Sequence, residues 1–292
     1  MGGLILSAIA TLVGRLPAGA GAWLGRRLGD LAFVALPSRR RVALANLAVA
    51  FPALDAAERR RIGRRSFQHL GVLFVELAAS LAQPLERTLG ALSLEGLEHL
   101  KGVMAAGGRA LILTAHLGNW ELLAAAHRLT GYPLAIVVRP LDSAPLNALA
   151  DRLRRKSGVE LIDKRGALRP VLRALADGRM VAILLDQNAA RHESVFVPFF
   201  GRAASTSKSL AVLAVRTGTP VVPIFIRREG RRHRVMVHPP LVPPAVNDAE
   251  RAVVELTMRC TAAIETAVMQ APEQWLWMHN RWRTRPAAEA TP

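Results

Sequence analysis

Six short apolar runs set the terms for this chain: "RALILTA", "PLAIVVR", "VELI", "RMVAILL", "PVVPIFI" and "HRVMVH", all beyond about residue 90. Several are apolar almost without a break, as strands covered on both faces must be. Between them lie stretches with helical spacing: Trp120 to Leu129, Pro145 to Lys156, Leu168 to Ala176, Ser205 to Thr217 and Ala249 to Met269. This alternation predicts an α/β fold, with a mixed, largely parallel central sheet flanked by helices. At 292 residues the chain can bury a sizeable core. Upstream, "FPALDAAERRRIGRRSFQHLGVLFVELAASL" predicts one long helix. Asp55 is its N-cap, and Glu58 stands three residues on.

The first fifty residues differ in character. "LILSAIATLV" is apolar but is cut short by Arg15, and Arg26, Arg27 and the triplet Arg39 to Arg41 follow. No uninterrupted run reaches the ~18 residues of a clear transmembrane helix. Arginines on both sides of apolar stretches predict membrane association, as one marginal span or as helices lying in the interface. The plain alternative is an apolar helix packed on the domain. The expected organisation is a membrane-associating segment over 1–50, a catalytic domain over 51–286 and a disordered tail over 287–292.

Charge narrows the partners. There are 39 Lys and Arg against 22 Asp and Glu, a formal net charge of +17. Such a balance suits an anionic membrane, an acidic carrier protein or nucleic acid. Nucleic acid lacks support, with one tyrosine, 5% aromatics and no zinc-finger or RNP-like pattern. Cys260 is the only cysteine, so no disulfide forms within the chain.

His116 follows an apolar run, and Glu121 stands five residues later in "TAHLGNWELL". On one helix the two would sit about 140° apart. With His116 on a strand-to-helix turn, made by Gly118 and Asn119, and Glu121 in the first helical turn, the side chains can converge at the sheet edge where α/β folds bind ligands. A neutral imidazole can then take a hydroxyl proton while a carboxylate on its far nitrogen fixes the tautomer. A metal site and a structural core histidine are the competing readings. "HESVF" at His192 lacks the second histidine of a zinc-protease helix, and no nucleophile elbow, Walker or dinucleotide glycine pattern is present.

Further stretches stand in order behind "AHLGNWE": "LDQNAARHESVFVPFFGRAASTSKS", "PVVPIFIRRE" and "APEQWLWMHNRWRTRP". Together they resemble the late acyltransferases of lipid A biosynthesis, within the wider glycerolipid acyltransferases. The likeness runs from "RRRVALANLAVAFP" to "RWRTRP". It implies that His116 is a general base and Glu121 its orienting carboxylate. It also implies acyl transfer from acyl carrier protein, or coenzyme A, to a hydroxyl of a lipid A precursor at the cytoplasmic face of the bacterial inner membrane. The thioester is then a co-substrate, and neither a metal nor another cofactor is called for. "PLNALADRLRR" gives Asn147 and Asp151, with Arg154 or Arg155 downstream; Arg139 is a candidate for the thioester oxygen or a phosphate. Asp186 and Gln187 fall in the family's Asp-containing motif. Ser205 and Thr206 match its small-hydroxyl helix start, which could bind phosphate through backbone N–H groups. Each has a structural alternative in capping or ion pairing. His279, Trp277 and Trp282 are expected to stabilise the C-terminal segment or meet the membrane interface. Two other readings stay open: an acyltransferase for a lysophospholipid or another glycolipid, and a non-catalytic protein that binds anionic lipid.

Overall fold

The computed structural model describes residues 11–140 and 143–286. The expectations for Leu4 to Ala10 and for the tail from residue 287 fall outside these residues. Seven strands form the main sheet: β1 (Leu92–Glu95), β2 (Ala110–Thr114), β3 (Leu134–Val138), β4 (Glu160–Asp163), β5 (Met180–Leu184), β8 (Val221–Glu229) and β9 (Arg232–Val237), in the order β1-β9-β8-β2-β5-β3-β4. Only the β8–β9 hairpin is antiparallel. The expected mixed, largely parallel sheet is therefore present. β6 (Ser194–Phe199) and β7 (Arg202–Ser207) make a separate hairpin.

β2 shows why its residues form a central strand. All five are buried, and they alternate between two cores. Leu111 and Leu113 enter one, with residues of α8 (Leu168–Ala176), α9 (Ser209–Thr217) and α10 (Ala249–Gln270). Ala110 and Ile112 enter the other, with Leu100, Val103 and Met104 of α5 (Leu97–Gly107). A period of two with both faces apolar is what a covered strand requires. Two expected helices change. Trp120 to Leu129 divides into 3₁₀ turns at Trp120–Leu122 and His127–Leu129 around a short α6 (Leu123–Ala126). Ser205 to Ser207 belong to β7, and α9 begins at Ser209.

The N-terminal helices are packed on the domain. α1 (Ala18–Ala35) and α2 (Pro37–Ala50) lie against α3 (Ala56–Ala82), whose N-cap Asp55 accepts the Glu58 N–H at 2.7 Å. α4 (Leu85–Leu89) follows, and α7 (Ala144–Lys156) carries the later arginines. Among the described residues, no helix is long and apolar enough to cross a membrane, so the marginal span expected here is unsupported. α1 carries Arg26, Arg27 and Asp30, and Asp30 accepts hydrogen bonds from Arg64 and Gln68 of α3, each at 2.7 Å.

The α1–α3 contact is made backbone to backbone. Gly21, Gly25 and Gly29 recur every fourth residue and are buried. A Cβ on Gly25 would stand 2.5 Å from the Val72 Cα, and one on Gly29 2.3 Å from the Phe67 carbonyl oxygen. One on Gly71 would meet the Gly25 carbonyl at 2.1 Å. A side chain at any of these positions must push the helices apart, losing dispersion contacts along the whole seam. Gly29→Ala is expected to cost about 1–3 kcal/mol, a typical overpacking penalty, and to lower the thermal midpoint by several degrees. Gly102→Ala, where a Cβ meets nothing within 4 Å, is the control and should leave the midpoint equal or higher. Equal melting of both variants and the parent would contradict the close-approach account.

Candidate active site

Two neighbouring parallel strands bring the central groups together. β2 and β5 pair in register, Thr114 opposite Leu184, and the Leu185 N–H donates to the Thr114 carbonyl at 3.1 Å. Two residues beyond that pair stand His116 and Asp186. Residues at equal height on adjacent parallel strands point the same way, so these two side chains meet at the C-terminal edge of the sheet. His116 Nδ1 lies 2.8 Å from Asp186 Oδ1, and the His116 backbone N–H donates to Oδ2 at 2.9 Å. The Trp275 indole N–H donates to the same Oδ2 at 2.8 Å.

Asp186 is 3% exposed. Burial alone would push its carboxyl up; the charge of His116 opposite, with the hydrogen bonds from His116 and Trp275, outweighs that and holds it at about 2. An ionised Asp186 keeps the proton of His116 on Nδ1, which leaves the Nε2 lone pair free to act as a base. Gln187 sets an amide nitrogen 3.4 Å from Nε2, and the Trp120 ring stands edge-on with its centroid 5.1 Å from that of His116.

The expected pairing of His116 with Glu121 is not made. Both Glu121 oxygens are taken by Arg154, whose Nε and Nη2 donate at 2.9 and 2.7 Å. The reason is local: Glu121 lies in the 3₁₀ turn that opens after Asn119, and α7 presents Arg154 to that turn. Burial favours the neutral form of Arg154, but the Glu121 carboxylate overrides it and raises its pKa. Asn147 and Asp151 join the same network, with the Asn147 amide donating to Asp151 at 3.1 Å and Asp151 3.6 Å from Arg154.

His116, Trp120, Glu121, Arg154 and Gln187 border a cavity of about 1340 Å³, larger than the ~300–1,000 Å³ of an ordinary small-molecule pocket, while Asp186, Asn147 and Asp151 are not among the residues on its wall. Its walls include Leu70, Leu73, Phe74 and Leu77 of α3, Leu100 of α5, Ile112 of β2 and Leu134 of β3. His116, Glu121, Arg139, Arg154 and Gln187 also line it. Ser205 and Thr206 do not form the phosphate-binding helix start expected of them. Both are fully buried in β7. Ser205 donates to the Ala189 carbonyl at 2.9 Å, and Thr206 donates to the Ala204 carbonyl at 3.1 Å and accepts from Arg281 at 2.5 Å. The cavity wall there is Ser207, Lys208 and Ser209. Among the described residues, no group of three or more His, Cys, Asp and Glu is arranged to hold a metal ion.

Sequence reasoning missed how fully the C-terminal segment organises the site. Residues 274–276 pair with the turn after β2: the Gly118 N–H donates to the Gln274 carbonyl at 3.0 Å, and the Leu276 N–H to the His116 carbonyl at 3.1 Å. His279 Nε2 accepts from the Asn188 N–H at 3.0 Å, and burial pushes its pKa down to about 4. The turn is fixed from behind as well. Gly118 has φ +59°, and a Cβ there would lie 2.0 Å from the Ile226 carbonyl, so only glycine fits. Asn119 donates at 2.8 Å to Glu76, which also binds Arg228 and lies 3.3 Å from His233. Burial opposes charge on Glu76, yet His233 and Arg228 together hold it at about 2. The available signal was the density of tryptophan, histidine and arginine in "EQWLWMHNRWR", too much for a solvated tail.

Comparison with known proteins agrees with the motifs. Residues 3–284 match the model of the bacterial lipid A biosynthesis acyltransferases. The lipid A biosynthesis lauroyltransferase of Escherichia coli is 30% identical over 90% of this chain and 85% of its own length. The palmitoleoyltransferase of the same organism is 28% identical over 92% and 87%, and its myristoyltransferase 24% over 91% and 82%. Among solved structures, the 1-acyl-sn-glycerophosphate acyltransferase of Thermotoga maritima aligns with 84% of this chain and 97% of its own, at 15% identity and a TM-score of 0.38. The match across nearly the whole chain shows that it belongs to the bacterial lipid A biosynthesis acyltransferase family and is an O-acyltransferase.

Proposed function

We propose that this enzyme moves a fatty acyl chain from a thioester, on acyl carrier protein or coenzyme A, to a hydroxyl of a lipid A precursor. His116 is the general base, and Asp186 fixes its tautomer. The observation that carries the reading is the contact between part-buried His116 and buried Asp186 at the border of a large, mainly apolar cavity. His116 Nε2 takes the acceptor hydroxyl's proton as the oxygen attacks the thioester carbonyl. The thiolate then leaves and is protonated, so no covalent enzyme intermediate is needed. The apolar wall suits the acyl chain. Glu121 keeps Arg154 in place at the wall, and Arg139 lies on the wall of the same cavity. The +17 charge suits an acidic carrier protein and a phosphorylated lipid.

We also propose that α1 rests on the membrane surface. Its glycine face is buried against α3, while Trp23, Leu31 and Val34, with Arg27 among them, lie within roughly 80° on the opposite side. Trp23 is 58% exposed and Val34 69%. An exposed apolar stripe flanked by arginines suits an anionic bilayer at its cytoplasmic face.

His116→Ala and Asp186→Asn are each expected to lower kcat by ~10²–10⁴ with the fold intact. A loss of only a few-fold in either would overturn its assignment. Glu121→Gln leaves Arg154 with only the Asp151 carboxylate, at 3.6 Å, and should cost about 1–3 kcal/mol of stability; an unchanged melting temperature would remove Glu121 from that role. The double variant Trp23→Glu, Leu31→Glu should lose sedimentation with phosphatidylglycerol vesicles while turning over detergent-dispersed substrate normally. Undiminished sedimentation would rule out α1 as the contact.

A further inference from the structure

Asp186 sits between two elements that are remote in sequence. Three N–H groups reach its carboxylate. Two come from His116 across the strand pair, and the third is the Trp275 indole. Trp275 is 2% exposed, and its ring is wedged edge-on against Trp277 at 4.6 Å and Phe199 at 5.6 Å between centroids. The indole therefore has one orientation. The backbone on either side of Trp275 does a related task, since the Gln274 carbonyl and the Leu276 N–H grip Gly118 and His116. One short segment thus fixes the histidine through its main chain and the carboxylate through its side chain.

We propose that Trp275 is a positioning residue for acyl transfer. Its indole N–H holds the Asp186 carboxylate in the rotamer that presents Oδ1 to His116 Nδ1. The inference rests on the reading of His116 as the base. Without the indole, Oδ2 keeps only the His116 backbone N–H, and the carboxylate is freer to turn about its Cβ–Cγ bond. When it does, Nδ1 loses its acceptor, and the ring loses both its tautomer and its aim. The loss falls on the chemical step, because no Trp275 atom is needed to bind either substrate.

The test is steady-state turnover, with donor and acceptor both saturating, for the full chain and for His116→Ala, Trp275→Phe, Trp277→Phe and the pair Asp186→Asn with and without Trp275→Phe. Trp277 is the control: it packs in the same segment but donates to the Pro272 carbonyl at 2.6 Å, away from Asp186. Trp275→Phe should lower kcat about 10-fold or more, as expected for losing a hydrogen bond to a charged group, with KM nearly unchanged. Trp277→Phe, which keeps an aromatic ring beside Trp275 and leaves the indole bond to Asp186 in place, should lose far less turnover than Trp275→Phe. In the Asp186→Asn background Trp275→Phe should cost almost nothing more, since both changes act through one group. Should Trp275→Phe fail to fold, Trp275→benzothienylalanine keeps the ring shape without the N–H and should show the same kcat loss. Full turnover in Trp275→Phe or its isostere, or a loss that multiplies with Asp186→Asn, would overturn the proposal while leaving the base assignment standing. Near-normal turnover in His116→Ala would bring down both.

Discussion

The contact between His116 and Asp186 depends on strand register. β2 and β5 run parallel with Thr114 opposite Leu184, and each chain continues two residues before leaving the sheet. A slip of one residue would turn one of the two side chains to the other face. Register in turn is fixed by the alternating burial of β2 between two cores. The His116–Asp186 pair is therefore specified by hydrophobic pattern as much as by its own chemistry. Its cost is a carboxylate taken out of water, offset by three N–H donors.

The surrounding charges follow the same rule. Glu76, Glu121 and Asp186 are each largely withdrawn from solvent, and each is met by cations or by several donors. Glu76 anchors the turn that carries His116, Glu121 fixes Arg154, and Asp186 fixes His116 itself. Three carboxylates in one neighbourhood thus hold three different parts of the site. The glycine seam between α1 and α3 has its own consequence. It buries the small side of α1 and leaves the bulky apolar side outward, which is why an apolar N-terminus can be both docked and exposed.

Much of this was legible in the sequence. Near-continuous apolar runs marked β2, β3, β5 and β8, and helical spacing located α3, α8 and α10 to within a residue or so. His116, Arg154 and Gln187 were singled out and line the cavity. What could not be read is which strands become neighbours. Glu121 is close to His116 in sequence, Asp186 is 70 residues away, and only the adjacency of β2 and β5 makes the distant carboxylate the nearer one. The same limit hid Trp275, which reaches Asp186 from 89 residues downstream. Ser205 and Thr206 were misplaced because β7 runs directly into α9, and small hydroxyl residues suit a buried hairpin as well as a helix start.

The central claim is that Asp186, and not Glu121, fixes the tautomer of His116. Proton–nitrogen NMR of the histidine side chains tests it directly. A low-field, exchange-protected Nδ1 proton assigned to His116 should be present in the parent and in Glu121→Gln and absent from Asp186→Asn. Its survival in Asp186→Asn, with loss in Glu121→Gln, would contradict the account.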